Sequence, residues 1–113
     1  MKVQNMTSRN GNKIANQFII TDGLKATFQS YESEIITLDY ENMRMFVGNN
    51  WDYSTTTGKY RNMFLADYVN YTGTKKDFEK CLNNGVLVDN YFRTWEIVKE
   101  WETPAHIDFR LPY

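Results

Sequence analysis

Between Gln17 and Val47 the chain passes through four short β-type runs, each closed by a turn signal, and this succession strongly constrains the fold. Gln17–Thr21 (QFIIT) is a compact β-branched run, and Asp22-Gly23 offers a tight hairpin because Gly accepts positive φ. Lys25–Tyr31 (KATFQSY) alternates, setting Ala26, Phe28 and Ser30 on one face and Thr27, Gln29 and Tyr31 on the other. After the polar break Glu32-Ser33-Glu34, Ile35–Leu38 predicts a third strand, and Asp39–Asn42 turns the chain. Met43–Val47 then alternates with Arg44 outward, and Gly48-Asn49-Asn50 closes the sheet region. Sequential hairpins of this kind make an antiparallel meander. Ahead of them, Met1–Met6 is expected as a short edge strand with Val3 inward, before a turn at Arg9-Asn10-Gly11-Asn12.

The pattern changes after Trp51. Ser54 or Thr55 offers a hydroxyl to cap a helix, satisfying a backbone N–H that the first turn leaves unpaired. Tyr60, Met63, Phe64 and Tyr68 recur at one helical face, which assigns them to the core and points Lys59, Arg61, Asn62 and Ala66 elsewhere. Gly58 inside this helix costs about 1 kcal/mol relative to Ala. Thr72-Gly73-Thr74 ends the helix, and a second one has clear boundaries. Thr74 caps it, Asp77 occupies the third position of a capping box, and Gly85 stops it; Phe78, Cys81 and Leu82 form its buried stripe. Lys75, Lys76, Glu79 and Lys80 are then a solvated face. Val86–Val88 reads as a strand returning to the sheet. Beyond it Phe92, Trp95, Val98 and Trp101 fall at three-residue spacing while Tyr91, Arg93, Trp95 and Ile97 alternate, and of the two readings a helix from about Asn90 to Trp101 is favoured over a strand. Thr103-Pro104 ends it, and AHIDFRLPY is expected as a final edge strand.

The expected fold is therefore α+β: an antiparallel meander of three to five strands under a single layer of two or three helices. One domain spans 1–113, with 1–50 mainly β, 54–84 two helices, and 86–113 a strand and helix extension. A chain of 113 residues has room for one core, burying roughly 60–70% of the surface its unfolded form exposes.

Composition excludes several function classes. Net charge is −1 with both signs interspersed, so no basic excess favours nucleic acid. A lone Cys excludes a disulfide framework, and neither an apolar leader nor an 18-residue apolar run predicts secretion or a membrane span. His106 is the only histidine and Cys81 the only cysteine, which excludes a His-based metal cluster and a zinc site. Cys81 on a buried stripe reads as a core residue, and nothing around Cys81 and His106 supports a dyad. Thr57-Gly58-Lys59 lacks the preceding glycine of a phosphate loop, and Tyr60 stands where Mg²⁺ needs a hydroxyl ligand from Ser or Thr. No catalytic residue, cofactor or metal ligand is assigned, and enzymatic activity is not expected.

Eight Tyr, seven Phe and three Trp are read first as large side chains filling a small core, with a binding face built from some of them as the alternative. Candidate partner-binding positions are Trp51 and Tyr53 at the helix entry, Lys59 and Arg61 as its outward cations, Arg9 and Lys13 in the N-terminal loop, and Trp95 and Trp101 in the tail.

Three stretches stand in order: SRNGNKIANQF (Ser8–Phe18), FQSYESEI (Phe28–Ile35) and WDYSTTTGKYRNMFL (Trp51–Leu65), followed by KKDFEKCLNNG. Over about residues 1–88 the chain resembles a family of small uncharacterised proteins carried by bacteriophages and other mobile elements. Beyond Val88 it departs from that family, so Tyr91, Phe92, Trp95 and Trp101 form either an extra partner surface or an added core layer. The resemblance transfers no catalytic residue. It implies a phage-borne accessory protein in the cytoplasm of a bacterial host, binding a host protein such as a CRISPR or other defence component and acting as an anti-defence inhibitor. The alternative is a single-stranded nucleic-acid binder using Arg9, Lys13, Lys59 and Arg61, with aromatic stacking. Either reading is compatible with a homodimer, and neither involves a membrane.

Overall fold

The computed structural model describes residues 1–102. Five strands form the expected meander: β1 (Lys2–Thr7), β2 (Lys13–Asp22), β3 (Lys25–Ser30), β4 (Ser33–Asp39) and β5 (Arg44–Val47). Helices α1 (Thr55–Val69) and α2 (Lys75–Asn84) follow, then β6 (Val86–Val88), β7 (Thr94–Lys99) and a 3₁₀ turn at Glu100–Glu102. The seven strands make one sheet in the order β1-β2-β3-β4-β5-β7-β6, antiparallel except for the β5–β7 pair. The α+β class with two helices holds, but the sheet has two strands more than the upper expectation. The predicted terminal strand AHIDFRLPY, His106 and the Thr103-Pro104 stop lie outside the described residues.

Of the two strands beyond the meander, β6 is the expected return of Val86–Val88, whereas β7 stands where a helix was expected from Asn90 to Trp101. Trp95 and Ile97 are buried while Thr94 and Glu96 are exposed, which is the two-residue period of a strand. The three-residue spacing of the aromatics does not mark one face: Trp95 is fully buried, whereas Phe92 and Trp101 are exposed. A non-local partner decides the outcome, because β7 pairs in parallel with β5 through Met45↔Ile97 and Phe46↔Val98.

Register also overrides the reading of β1. Val3 pairs with Ile20, off the buried face of β2, and is left 57% exposed, while Met6, three residues on and so facing the other way, is in the core. On α1 the buried stripe is rotated from the expected one. Thr57, Arg61, Phe64, Leu65 and Val69 are buried, whereas Tyr60, Met63 and Tyr68 only pack against the core margin. Ser54 is the N-cap, its hydroxyl accepting from Thr57 N–H at 3.1 Å, and Asn70 closes the helix in the left-handed region. Phe28 stacks on Phe64, which stacks in turn on Tyr68, tying α1 to β3. At the start of α2 the predicted capping box is present, with Thr74 and Asp77 satisfying each other's backbone N–H groups.

Gly58 gives a test of this packing. A Cβ there would meet the Arg61 guanidinium at 3.6 Å, an ordinary contact, and its φ is not in the left-handed region. Gly58→Ala is therefore expected to stabilise the protein by up to about 1 kcal/mol in urea unfolding. Destabilisation instead would mean that the Arg61 head group cannot accept even a methyl neighbour.

Candidate functional site

Two places on the fold combine exposed aromatics with fixed backbone geometry, one at each end of the sheet. The first is an open cleft of about 720 Å³ where β3 passes into β4 and the chain enters α1. Its lining is Asn16 from β2; Ser30, Tyr31, Glu32, Ser33 and Ile35 from the β3–β4 turn; and Asn50, Tyr53, Ser54, Thr56 and Thr57 from the approach to α1. All but Asn50 fall within the three sequence stretches Ser8–Phe18, Phe28–Ile35 and Trp51–Leu65. Segments far apart in sequence thus converge on one concavity.

The cleft wall is held by a hydroxyl network. Ser30 Oγ and Thr57 Oγ1 lie 3.0 Å apart, Ser54 Oγ donates to Thr57 Oγ1 at 3.2 Å, and Asn50 Nδ2 donates to Ser33 Oγ at 3.0 Å. Two of its residues have left-handed backbones without being glycine, Asn16 at φ 62° and Tyr31 at φ 56°. Tyr31 N–H donates to the Asn16 carbonyl at 2.7 Å and the Gln29 side chain donates to the Tyr31 carbonyl at 2.8 Å, which holds the strained turn in place. A tyrosine there is an outlier of the kind that collects at binding sites. The result is that Tyr31 and Tyr53 stand at the cleft 48% and 72% exposed. Opposite Ser30 in the ladder, Gln17 is fully buried with neither side-chain polar atom paired.

At the other end of the sheet, Asp89 organises the β6–β7 hairpin. Its fully buried carboxylate accepts from the N–H groups of Tyr91 and Arg93 at 2.9 and 3.0 Å, from Arg93 Nε at 2.9 Å, and from Trp95 Nε1 at 3.3 Å. Burial alone would raise the Asp89 pKa, but these hydrogen bonds to the ionised form outweigh it and hold the group below its ordinary range. The turn it pins projects Tyr91 and Phe92, 68% and 89% exposed, with the Arg93 guanidinium 5.7 Å from the Tyr91 ring. Phe92 has φ 63°, an uncommon backbone for so bulky a residue.

The sequence-predicted positions divide. Register puts Arg9, Lys13, Tyr53 and Trp101 toward the cleft end of the sheet, since the β1–β2 turn, the start of β2 and the end of β7 all lie there. Arg9, Lys13 and Lys59 are exposed cations, and Trp101 is 41% exposed. Trp51 is only half accessible, its ring tilted against Phe78 at 5.5 Å. Two candidates are not surface groups at all. Arg61, expected outward, is 1% exposed because the rotated stripe turns it between Trp51 and Phe78, and Trp95, 0% exposed, is a core residue of β7 packed edge-on to Tyr40. Sequence reasoning missed Asp89 as an organiser and Tyr31 as a cleft wall; Asp89-Asn90 before two aromatics is an Asx-turn signal that points to the hairpin.

Among the described residues no group of three or more His, Cys, Asp or Glu is arranged to hold a metal. The Cys81 thiol is half-buried, 3.6 Å from the Tyr71 hydroxyl, whose pKa burial and that sulfur push well above its usual value. No helix among the described residues is long and apolar enough to cross a membrane.

Comparison with known proteins finds one family. A model described as "Family of unknown function (DUF8033)" matches residues 1–80, which contain the whole cleft and stop short of the Asp89 hairpin. Neither the curated proteins nor the solved structures contain a match.

Proposed function

The chain belongs to the DUF8033 family of unknown function, and from that premise we propose that it is a stoichiometric protein-binding module with no catalytic role. In this reading it is a phage-type accessory protein whose partner is a bacterial host protein, with a CRISPR or other defence component as the target it inhibits. The observation that carries the binding role is Phe92: a strained, 89% exposed aromatic on a hairpin pinned by a buried carboxylate. Exposed aromatics on a preorganised turn are the residue type that dominates interface energetics, because little side-chain freedom is lost on binding. The hairpin lies beyond the family match, so partner choice belongs to this chain's own extension while residues 1–80 supply the shared scaffold. The burial of Arg61 weakens the nucleic-acid alternative, whose basic face is left with Lys59 on α1.

The test uses Phe92→Asn, since Asn tolerates the left-handed backbone. The variant is expected to be at least as stable as the parent, by up to about 1 kcal/mol. As bait in a bacterial lysate it is expected to lose the partner captured by the parent, with affinity down roughly thirtyfold or more, as for an interface hot spot. Equal capture by Phe92→Asn and parent would remove the hairpin from the interface.

A further inference from the structure

We propose that the cleft between the β3–β4 turn and the start of α1 binds a neutral, polyhydroxylated small ligand of mono- or disaccharide size. This goes beyond the protein-binding reading and concerns the opposite end of the sheet. The cleft volume, about 720 Å³, falls within the ordinary range of small-ligand sites. Its chemistry narrows the ligand class. No Lys or Arg lines it, while Glu32 does, so a phosphate or other anion would enter a site without a counter-charge and beside a carboxylate. The lining is mainly amides and hydroxyls, groups that both donate to and accept from sugar hydroxyls. The Asn16 amide, the Glu32 carboxylate and the Thr56 hydroxyl are not engaged by other described residues, so they are available to a ligand.

Tyr31 and Tyr53 supply the second half of sugar recognition. A flat aromatic ring covers the apolar C–H face of a pyranose, while the phenol hydroxyl stays in the polar rim. The two rings make no direct ring contact with each other, which leaves room for a ligand and argues against a closed aromatic cage for a quaternary ammonium ion. The site is also preorganised. The Ser30–Thr57–Ser54 hydroxyl chain fixes the wall, and the Tyr31 N–H to Asn16 carbonyl bond holds both left-handed residues. Ordering that costs binding energy in a loose surface loop is already complete here.

The experiment is an amide-resolved NMR titration of the full-length protein with maltose and N-acetylglucosamine at millimolar concentrations, beside choline and AMP. The expected result is saturable shifts from at least one sugar, confined to residues around Asn16, Tyr31, Glu32, Tyr53 and Thr56. Tyr53→Ala, which removes a 72% exposed side chain and leaves the core intact, is expected to weaken that binding about tenfold, with Phe92→Asn leaving it unchanged. Absence of saturable shifts from both sugars overturns the proposal. So does a stronger response to AMP, which would make the cleft an anion or base site, or to choline, which would make it a cation site.

Discussion

Asp89→Ala is expected to destabilise the protein by about 3 kcal/mol in urea unfolding, because it leaves several buried or constrained donors without an acceptor. The carboxylate is fully buried and collects four hydrogen bonds, two from the turn backbone, one from Arg93 and one from the indole of Trp95. Water can reach the exposed Arg93 head once Asp89 is gone, but the buried indole N–H has no such recourse. Asp89→Asn keeps the shape yet turns an amide donor toward two donors, so it too is expected to be destabilising. The pH dependence follows from the depressed pKa. A carboxylate held below its unfolded value of 3.8 contributes stability that is fully present above that value. That contribution is lost as pH falls through the lower, folded-state value. The parent is therefore expected to lose stability below about pH 4, and Asp89→Asn to show a shallower acid limb. Asp39, also depressed by its bonds to Asn42 and Glu41, keeps part of that limb in both proteins. An acid limb unchanged by Asp89→Asn would mean that the hairpin does not depend on this charge.

Arg61→Ala is expected to cost about 3–4 kcal/mol, and Arg61→Met no more than about 1 kcal/mol. The guanidinium is enclosed between the Trp51 and Phe78 rings, with centroids 5.3 and 5.5 Å from its central carbon. Its Nη1 donates to the Trp51 carbonyl at 2.8 Å and its Nη2 to Asn62 at 3.2 Å, while Nε has no partner. Burial lowers the Arg61 pKa, and Asp52 only partly restores it from 4.0 Å, being shared with Lys75 at 2.7 Å. Such a charge is poorly compensated, so its stem and flat head contribute chiefly by filling space. Removing them leaves a cavity; replacing them with a thioether chain does not. Denaturant midpoints for both variants decide the matter. Equal losses for Met and Ala would show that the charge, not the volume, is what Trp51 and Phe78 require.

The two variants also show where sequence was informative. The meander from Gln17 to Val47 was legible because each strand has a two-residue period and a Gly, Asn or Asp turn beside it. The α2 boundaries were legible because Thr74, Asp77 and Gly85 act through local hydrogen bonds. Arg61 was misread because a cation on an amphipathic helix is ordinarily solvated, and only the tertiary slot between Trp51 and Phe78 turns it inward. The 94–99 segment was misread because its strand pairing depends on β5, about fifty residues earlier, while the local aromatic spacing suits a helix. The cleft depends on left-handed backbones at Asn16 and Tyr31. Asn gives a weak hint of such a conformation; Tyr gives none. The candidate cations and aromatics nevertheless gathered in part at one end of the sheet, with Tyr53 itself in the cleft lining.

The most direct test of the binding account is hydrogen exchange on the protein, free and with its captured partner. The account predicts slowed exchange at the Asp89–Arg93 turn and adjoining β6, where Val86 and Val88 are exposed on the outer edge strand. Protection confined to the cleft end, with residues 89–93 exchanging at the free rate, would contradict it.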